Sequence, residues 1–201
     1  KIVADETLES RSTDASPQIL KLRAANPDVV IAFLYQVPAQ ILLRQAEDLG
    51  LKAVIITSAS VTDSSIYQSL PQSALTHYYG SMLAKDVLDG PGMKPMMDEM
   101  RAKYRDVTFN PLVVSGVGAA TVLVEALQSI GKDVTPEKLV AALDKTKDVN
   151  TNALSYPLTF TPENHAGGRG LSIYKIVNGV ETLAMPGYWP GYGKAAAPVA
   201  V

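Results

Sequence analysis

Cysteine is absent from the 201 residues, which excludes disulfides and thiolate metal sites. Its absence is compatible with an oxidising compartment and does not establish one. Histidine is scarce, with only His77 and His165, far apart in the chain, so no histidine pair stands at metal-ligand spacing. No H-E-x-x-H, no G-x-S-x-G nucleophile turn and no G-x-x-x-x-G-K-[ST] phosphate loop occurs. Charge of one sign is also lacking. Eighteen Lys and Arg against 20 Asp and Glu leave a net charge of −2, with no basic patch to neutralise a row of phosphates, so nucleic acid is not an expected partner. No apolar run reaches the roughly 20 residues of a bilayer-spanning helix, and no internal repeat is found. The first residue is Lys1 and no signal peptide is visible. The sequence reads as a fragment or processed form, so the missing leader says nothing about export.

What is present is a globular composition. Hydrophobic residues make up 47% of the chain, enough for one large domain or two small ones. The most informative stretch runs from Asn26 to Thr57. Asp28 to Tyr35 is an unbroken apolar run rich in β-branched residues, the pattern of a strand buried on both faces. Pro38 sits at the start of a helix whose apolar face carries Ile41, Leu42, Ala46 and Leu49, and Gly50 can end it in the left-handed conformation. Lys52 to Ile56 reads as a second buried strand. Strand, helix and strand make a right-handed βαβ unit, and open sheets of such units bind ligands at the carboxyl ends of their strands. The fold class is therefore α/β, a parallel sheet flanked by helices. The strand ends carry Tyr35-Gln36 and Thr57-Ser58-Ala59-Ser60.

Elsewhere the pattern is coarser. Lys1 to Ala4 reads as a short strand and Asp5 to Asp14 as a loop. Ser16 and Pro17 open a helix with Ile19, Leu20 and Leu22 toward the sheet, ending before Asn26-Pro27. Thr62 to Gln68 suggests a short helix capped by Asp63 or Ser64, and Leu75 to Leu83 a third strand or crossover. After the turn cluster Asp89 to Gly92, a surface helix is expected from Met93 to Tyr104 and the longest helix from Pro111 to Gly131. The first half of that long helix is small and apolar nearly all round, which predicts deep burial. Thr135-Pro136-Glu137 starts another helix, Tyr156 to Phe160 is strand-like, and Asn178-Gly179 marks a hairpin between Leu171–Val177 and Glu181–Ala184. The tail from Gly187 is expected to be irregular.

Each candidate for chemistry has a plainer alternative. Gly116-Val-Gly118 lies within a helix and reads as close packing, not a phosphate loop. His165 sits in a glycine-rich loop and reads as a turn residue, and His77 as structural. Asp98-Glu99 forms a solvated face; Met96, Met97 and Met100 fill a core. Tyr188, Trp189 and Tyr192 anchor a tail or pack over a ligand. The strand-end cluster differs in kind. Hydroxyls and backbone N–H groups there can hold a carboxylate or carbonyl, and Tyr35 offers a flat apolar wall with one polar tip. The alternative is a loop that only caps the following helix. No base adjoins these hydroxyls, so nucleophilic catalysis has no support.

The chain resembles the periplasmic solute-binding proteins of branched-chain amino-acid type ABC transporters, the leucine/isoleucine/valine-binding group with the type I periplasmic binding fold. The likeness is carried by Gln18 to Val30, by Ile41 to Lys52, by the pattern G-x-x-A-A-x-V-L-x-E-A-L from Gly116 and by Leu158 to His165, in order over Lys1 to about Val180. It implies two α/β lobes joined by three crossovers, of which this chain is the carboxyl-terminal part. Residues 1–82 would form the core of the second lobe, 83–168 a mostly helical return to the first, and 169–201 a crossover back with a tail. It further implies a small-molecule ligand, a membrane permease as partner, an amino-terminal lobe outside this sequence, and a place in the periplasm or lipid-anchored outside a cell without an outer membrane. No cofactor, metal or catalytic residue is implied. Tyr35 falls where the family has a ligand-facing aromatic, and Gln36 and Thr57 to Ser60 fall at the cleft. One departure stands out: amino-acid binders usually carry an acidic residue in that loop, where this chain has Ala59 between Ser58 and Ser60. Asp63 is near in sequence but reads as a helix cap. The expected function is capture of a small carboxylate or aromatic acid. The alternatives are a ligand-sensing domain of the same fold and a branched-chain amino-acid or amide binder.

Overall fold

A computed structural model describes residues 1–61, 65–107, 109–168 and 170–186. The expected cap residues Asp63 and Ser64, and the tail with Tyr188, Trp189 and Tyr192, lie outside the described residues. The chain divides into two compact units. One comprises Lys1–Met82 with Ile173–Met185, and the other contains Leu83–Ser172.

The first unit is α/β. Helix α1 (Ser16–Ala25) begins with the Asp14 carboxylate accepting from the Ser16 N–H at 2.9 Å, and ends at Asn26 in the left-handed region, φ 48°. Strand β1 (Val29–Ala32), helix α2 (Gln36–Asp48) and strand β2 (Val54–Thr57) form the anticipated βαβ unit. Gly50 follows α2 at φ 67°, a conformation cheap only for glycine. β1 and β2 are parallel, with Val29 opposite Val54 and Ala32 opposite Thr57. A short helix α3 (Ser65–Gln68) and a 3₁₀ turn (Gln72–Leu75) lead to β3 (Tyr78–Met82), parallel to β2. Strands β4 (Ser172–Val177) and β5 (Val180–Met185) complete a sheet ordered β1-β2-β3-β4-β5. They pair antiparallel around Asn178 (φ 52°) and Gly179 (φ 76°), the two positive-φ positions that the Asn-Gly pair supplies.

Four expectations need correction here. Lys1 to Ala4 forms no strand: the segment makes no ladder with any described strand. Leu20 is 46% exposed, so α1 packs through Ile19 and not through Leu20. Pro38 is the third residue of α2, not its first. Above all, β1 is not buried on both faces. Ala32 is buried, but Val29, Ile31 and Phe33 are 46%, 68% and 83% exposed. The helices cover one face, with α1 against α2 and Leu42, Leu43 and Ala46 buried, and no described residue covers the other.

The second unit is mostly helical. The turn after Val87 wraps the Asp86 carboxylate, which accepts from the N–H groups of Val87 at 2.8 Å and Gly92 at 2.9 Å. A Cβ on Gly90 would come within 2.4 Å of that carboxylate. Helix α4 (Lys94–Lys103) buries Met97. Helix α5 (Val113–Ile130) buries one stripe, Val114, Gly118, Val122 and Ala126, at four-residue spacing. Gly118 lets Leu154 approach so closely that a Cβ would stand 2.6 Å from it. Deep burial of the first half is not observed, since Gly116, Ala119 and Ala120 are exposed, and Leu123 and Val124 beyond it are 42% and 50% exposed. By length and composition α5, at 18 residues and mean hydropathy 1.6, could cross a membrane. Its buried stripe against Leu154 and its contacts with α6 (Pro136–Leu143) instead mark it as packed on its own unit. Thr135 caps α6 by accepting from the Lys138 N–H at 3.3 Å. The strand expected at Tyr156 to Phe160 reduces to an isolated bridge between Val149 and Leu158, because Gly167 and Gly168, not a partner strand, lie against the Phe160 and Tyr156 rings.

Candidate ligand site

The carboxyl ends of β1 and β2 are held together by two bonds from Ser58. Its N–H donates to the Ala32 carbonyl at 3.2 Å and its hydroxyl to the Leu34 carbonyl at 3.3 Å. The chain leaving β1 therefore stays beside the loop leaving β2 as far as Leu34, one residue before Tyr35. Tyr35 is extended (φ −81°, ψ 170°), caps α2 through its backbone, and is 71% exposed. Gln36 begins the helix and is half-buried. The second loop is a tight turn closed by the Val61 N–H donating to the Ser58 carbonyl at 3.0 Å. Ser58 and Ala59 are half-buried in it and Ser60 is exposed.

Thr57 is placed differently from its neighbours. It is 1% exposed, and its hydroxyl shares a hydrogen bond with the Tyr78 hydroxyl at 2.9 Å. Tyr78 in turn joins a buried cluster with Tyr67 and Tyr174, ring centroids 5.8 to 6.3 Å apart. The hydroxyls of Tyr67 and Tyr174 share a short hydrogen bond. The Tyr174 hydroxyl also donates to the Val61 carbonyl at 2.7 Å. Gly80 makes room for this: a Cβ there would lie 2.0 Å from the Tyr174 ring. The loop is thus fastened from below at Thr57 and Val61. Sequence reasoning missed the cluster, whose only signal is tyrosine at strand positions without a pattern to connect them.

Burial pushes all three phenols upward from their ordinary range, and for Tyr67 and Tyr174 the neighbouring phenols push further. A phenol is neutral when protonated, so its burial carries no charge cost until the unfolded phenol, which ionises more readily than the buried one, begins to release its proton. The contribution is fully present below about pH 10 and is lost as pH rises above the unfolded value. Alkaline titration is expected to show that tyrosinate absorbance from these residues appears only together with loss of the folded circular-dichroism signal. Ionisation of all nine tyrosines with the fold intact would contradict the buried cluster.

Among the described residues no group of three His, Asp or Glu is placed to hold a metal ion. His165 lies 3.0 Å from the Asp144 carboxylate in the second unit, and His77 is exposed before β3. A mainly parallel sheet with a tethered loop at its strand ends is an architecture for holding a small ligand. Comparison is more specific: residues 1–181 match the family model of periplasmic binding proteins, and the chain belongs to that family. No curated protein matches it. Among solved structures, it is similar to a fatty acid ABC transporter substrate-binding protein from Thermomonospora curvata (22% identity, TM-score 0.75), covering 89% of this chain and 47% of that one. The leucine-binding protein LivK from Thermotoga maritima matches at 20% identity and TM-score 0.72, covering 91% and 51%. A branched-chain amino acid ABC transporter protein from Thermus thermophilus with bound valine matches at 18% and 0.75, also covering 91% and 51%. The chain thus spans about half the length of these proteins and shares their fold.

Proposed function

We propose that this chain is part of an extracytoplasmic solute-binding protein that delivers a small carboxylate or aromatic acid to the membrane permease of an ABC importer. The carboxyl ends of β1 and β2 form one wall of the ligand site. Tyr35 supplies an apolar surface, Ser60 supplies a hydroxyl donor, Ser58 holds the two strand ends together, and Gln36 opens α2, whose positive end favours an anion. Thr57 supports the wall from behind through Tyr78. A further lobe, from polypeptide outside these 201 residues, would close over the ligand. The site captures and releases its ligand, the role of a binding protein.

The observation that carries the ligand class is Ala59. It is half-buried in the loop between two serines, and an α-ammonium group enclosed there would lack an anionic partner at a cost of several kcal/mol. Hydroxyls accommodate a carboxylate or a neutral polar group at no such cost. The relative described as a fatty acid binder is consistent with an acid that has no amino group. The relative with bound valine favours the second reading, a branched-chain amino acid.

Tyr35→Ala in the whole protein tests the placement of the site. Tyr35 is 71% exposed, so its removal is expected to leave the melting temperature unchanged. Loss of an aromatic wall should weaken binding of a carboxylic acid such as hydrocinnamate by about tenfold. Unchanged affinity, with the fold intact, would remove Tyr35 from the site.

A further inference from the structure

The hydrogen bonds among Thr57 and the three buried phenols have a direction. A hydroxyl has one proton to donate. Tyr174 spends its own on the Val61 carbonyl, 2.7 Å away, because a carbonyl can only accept. The hydroxyls of Tyr67 and Tyr78, both bonded to that of Tyr174, must then donate to its oxygen. Tyr78 has thereby spent its proton, so in its 2.9 Å bond with Thr57 it accepts. A single chain of donation results, from Thr57 to Tyr78, from Tyr78 to Tyr174 and from Tyr174 to the Val61 carbonyl. Tyr67 donates into the chain from the side and lies on no path between its ends. We propose that this directed chain sets the conformation of the turn at Ser58 to Ser60, and that Tyr78, acting through it, is a positioning residue for a ligand it does not touch.

Three observations give the chain this role. The first is that both of its ends lie in the same turn. Thr57 immediately precedes the turn, and the Val61 N–H closes it on the Ser58 carbonyl at 3.0 Å. The second is burial. Thr57, Tyr78 and Tyr174 are at most 1% exposed, so water does not take the place of a lost partner. The third is where the links come from. Tyr78 belongs to β3 and Tyr174 to β4, the two strands that follow β2 in the sheet. The turn is therefore held against the sheet and not only against its own loop. Ser81 of β3 adds to this, its hydroxyl donating to the Thr57 carbonyl at 2.9 Å.

Two chemically identical deletions then differ in outcome. Tyr78→Phe removes the middle link, which strands the Thr57 proton in a buried place and cuts the chain. Tyr67→Phe removes one of two donors to Tyr174 and leaves the path from Thr57 to Val61 complete. A cluster that only filled space would respond alike to both. The effect on affinity rests on the reading of this turn as a ligand wall, whereas the effect on the turn itself does not.

The experiment is residue-resolved hydrogen exchange on the ligand-free whole protein, followed by calorimetry with hydrocinnamate. Exchange at the Val61 amide is read against that of Ile55, whose bond to the His77 carbonyl lies away from the turn. Tyr78→Phe is expected to speed Val61 relative to Ile55 by about tenfold or more, and Tyr67→Phe to leave the ratio within about twofold. Hydrocinnamate is expected to bind about tenfold more weakly to Tyr78→Phe and equally well to Tyr67→Phe. Thr57→Val breaks the chain at its other end with the same expected signs, and stands in if Tyr78→Phe does not fold. With both folded, the double variant is expected to lose no more affinity than either single one. A Val61 ratio that responds equally to Tyr67→Phe and Tyr78→Phe, or to neither, overturns the proposal. A ratio that rises in Tyr78→Phe alone, with affinity for hydrocinnamate unchanged, upholds the chain as what orders the turn and overturns the turn as a ligand wall.

Discussion

Tyr174→Ala is expected to destabilise the first unit by about 3–5 kcal/mol, the range for deleting a buried aromatic ring. The ring is fully buried and is the reason Gly80 has no room for a side chain. Alanine would leave a void between β3, β4 and the loop after β2. It would also strip the hydroxyl that bonds the Val61 carbonyl, Tyr67 and Tyr78. Tyr174→Phe separates the two effects. It keeps the ring and removes only the hydroxyl, leaving the buried Val61 carbonyl without that donor, for about 1–3 kcal/mol. Denaturant unfolding followed by circular dichroism measures both, with the midpoint falling at constant slope. If the alanine variant loses less than about 1 kcal/mol, the ring is not packed as described. Because Tyr174 fastens the loop, the phenylalanine variant should also loosen Ser58 to Ser60 and weaken ligand binding without touching the ligand.

Ala59→Glu is expected to weaken binding of a carboxylic acid by the whole protein tenfold or more, with little change in stability. The side chain is half-buried at the tethered turn, so a carboxylate there stands close to any bound anion. Two like charges about 4 Å apart repel by about 4 kcal/mol at an effective dielectric constant near 20, enough for a tenfold loss even if the glutamate turns partly toward water. Ala59→Gln adds similar bulk without charge and controls for crowding. If both variants lose affinity equally, the effect is steric. If Ala59→Glu instead confers affinity for an amino acid, the loop is confirmed as the place where an ammonium is read.

The βαβ unit and the β4–β5 hairpin were legible because their signals are local. A β-branched run, a helical period and an Asn-Gly pair each act within a few residues. The strand ends followed from topology once the unit was recognised. What the pattern concealed is what touches what. The apolar run at β1 states that the strand is built for burial, but not whether a neighbour is present to bury Val29, Ile31 and Phe33. The long apolar stretch of α5 likewise predicted cover on all sides, where Gly118 and its stripe find only one. The tyrosine cluster joins Tyr67 to Tyr174 across 107 positions, a separation at which no periodicity carries information. Thr57 does end β2, but its hydroxyl serves Tyr78, which no local signal indicates.

The central claim is that the turn at Ser58, Ala59 and Ser60 favours an acid without an amino group. Calorimetric titration of the whole protein with matched pairs tests it most directly: isovalerate beside valine, isocaproate beside leucine, hydrocinnamate beside phenylalanine. The account predicts that within at least one pair the acid binds measurably and the amino acid at least tenfold more weakly. Tighter binding of valine, leucine or phenylalanine than of the corresponding acids would contradict it, because the ammonium would then have an anionic partner that this wall does not provide.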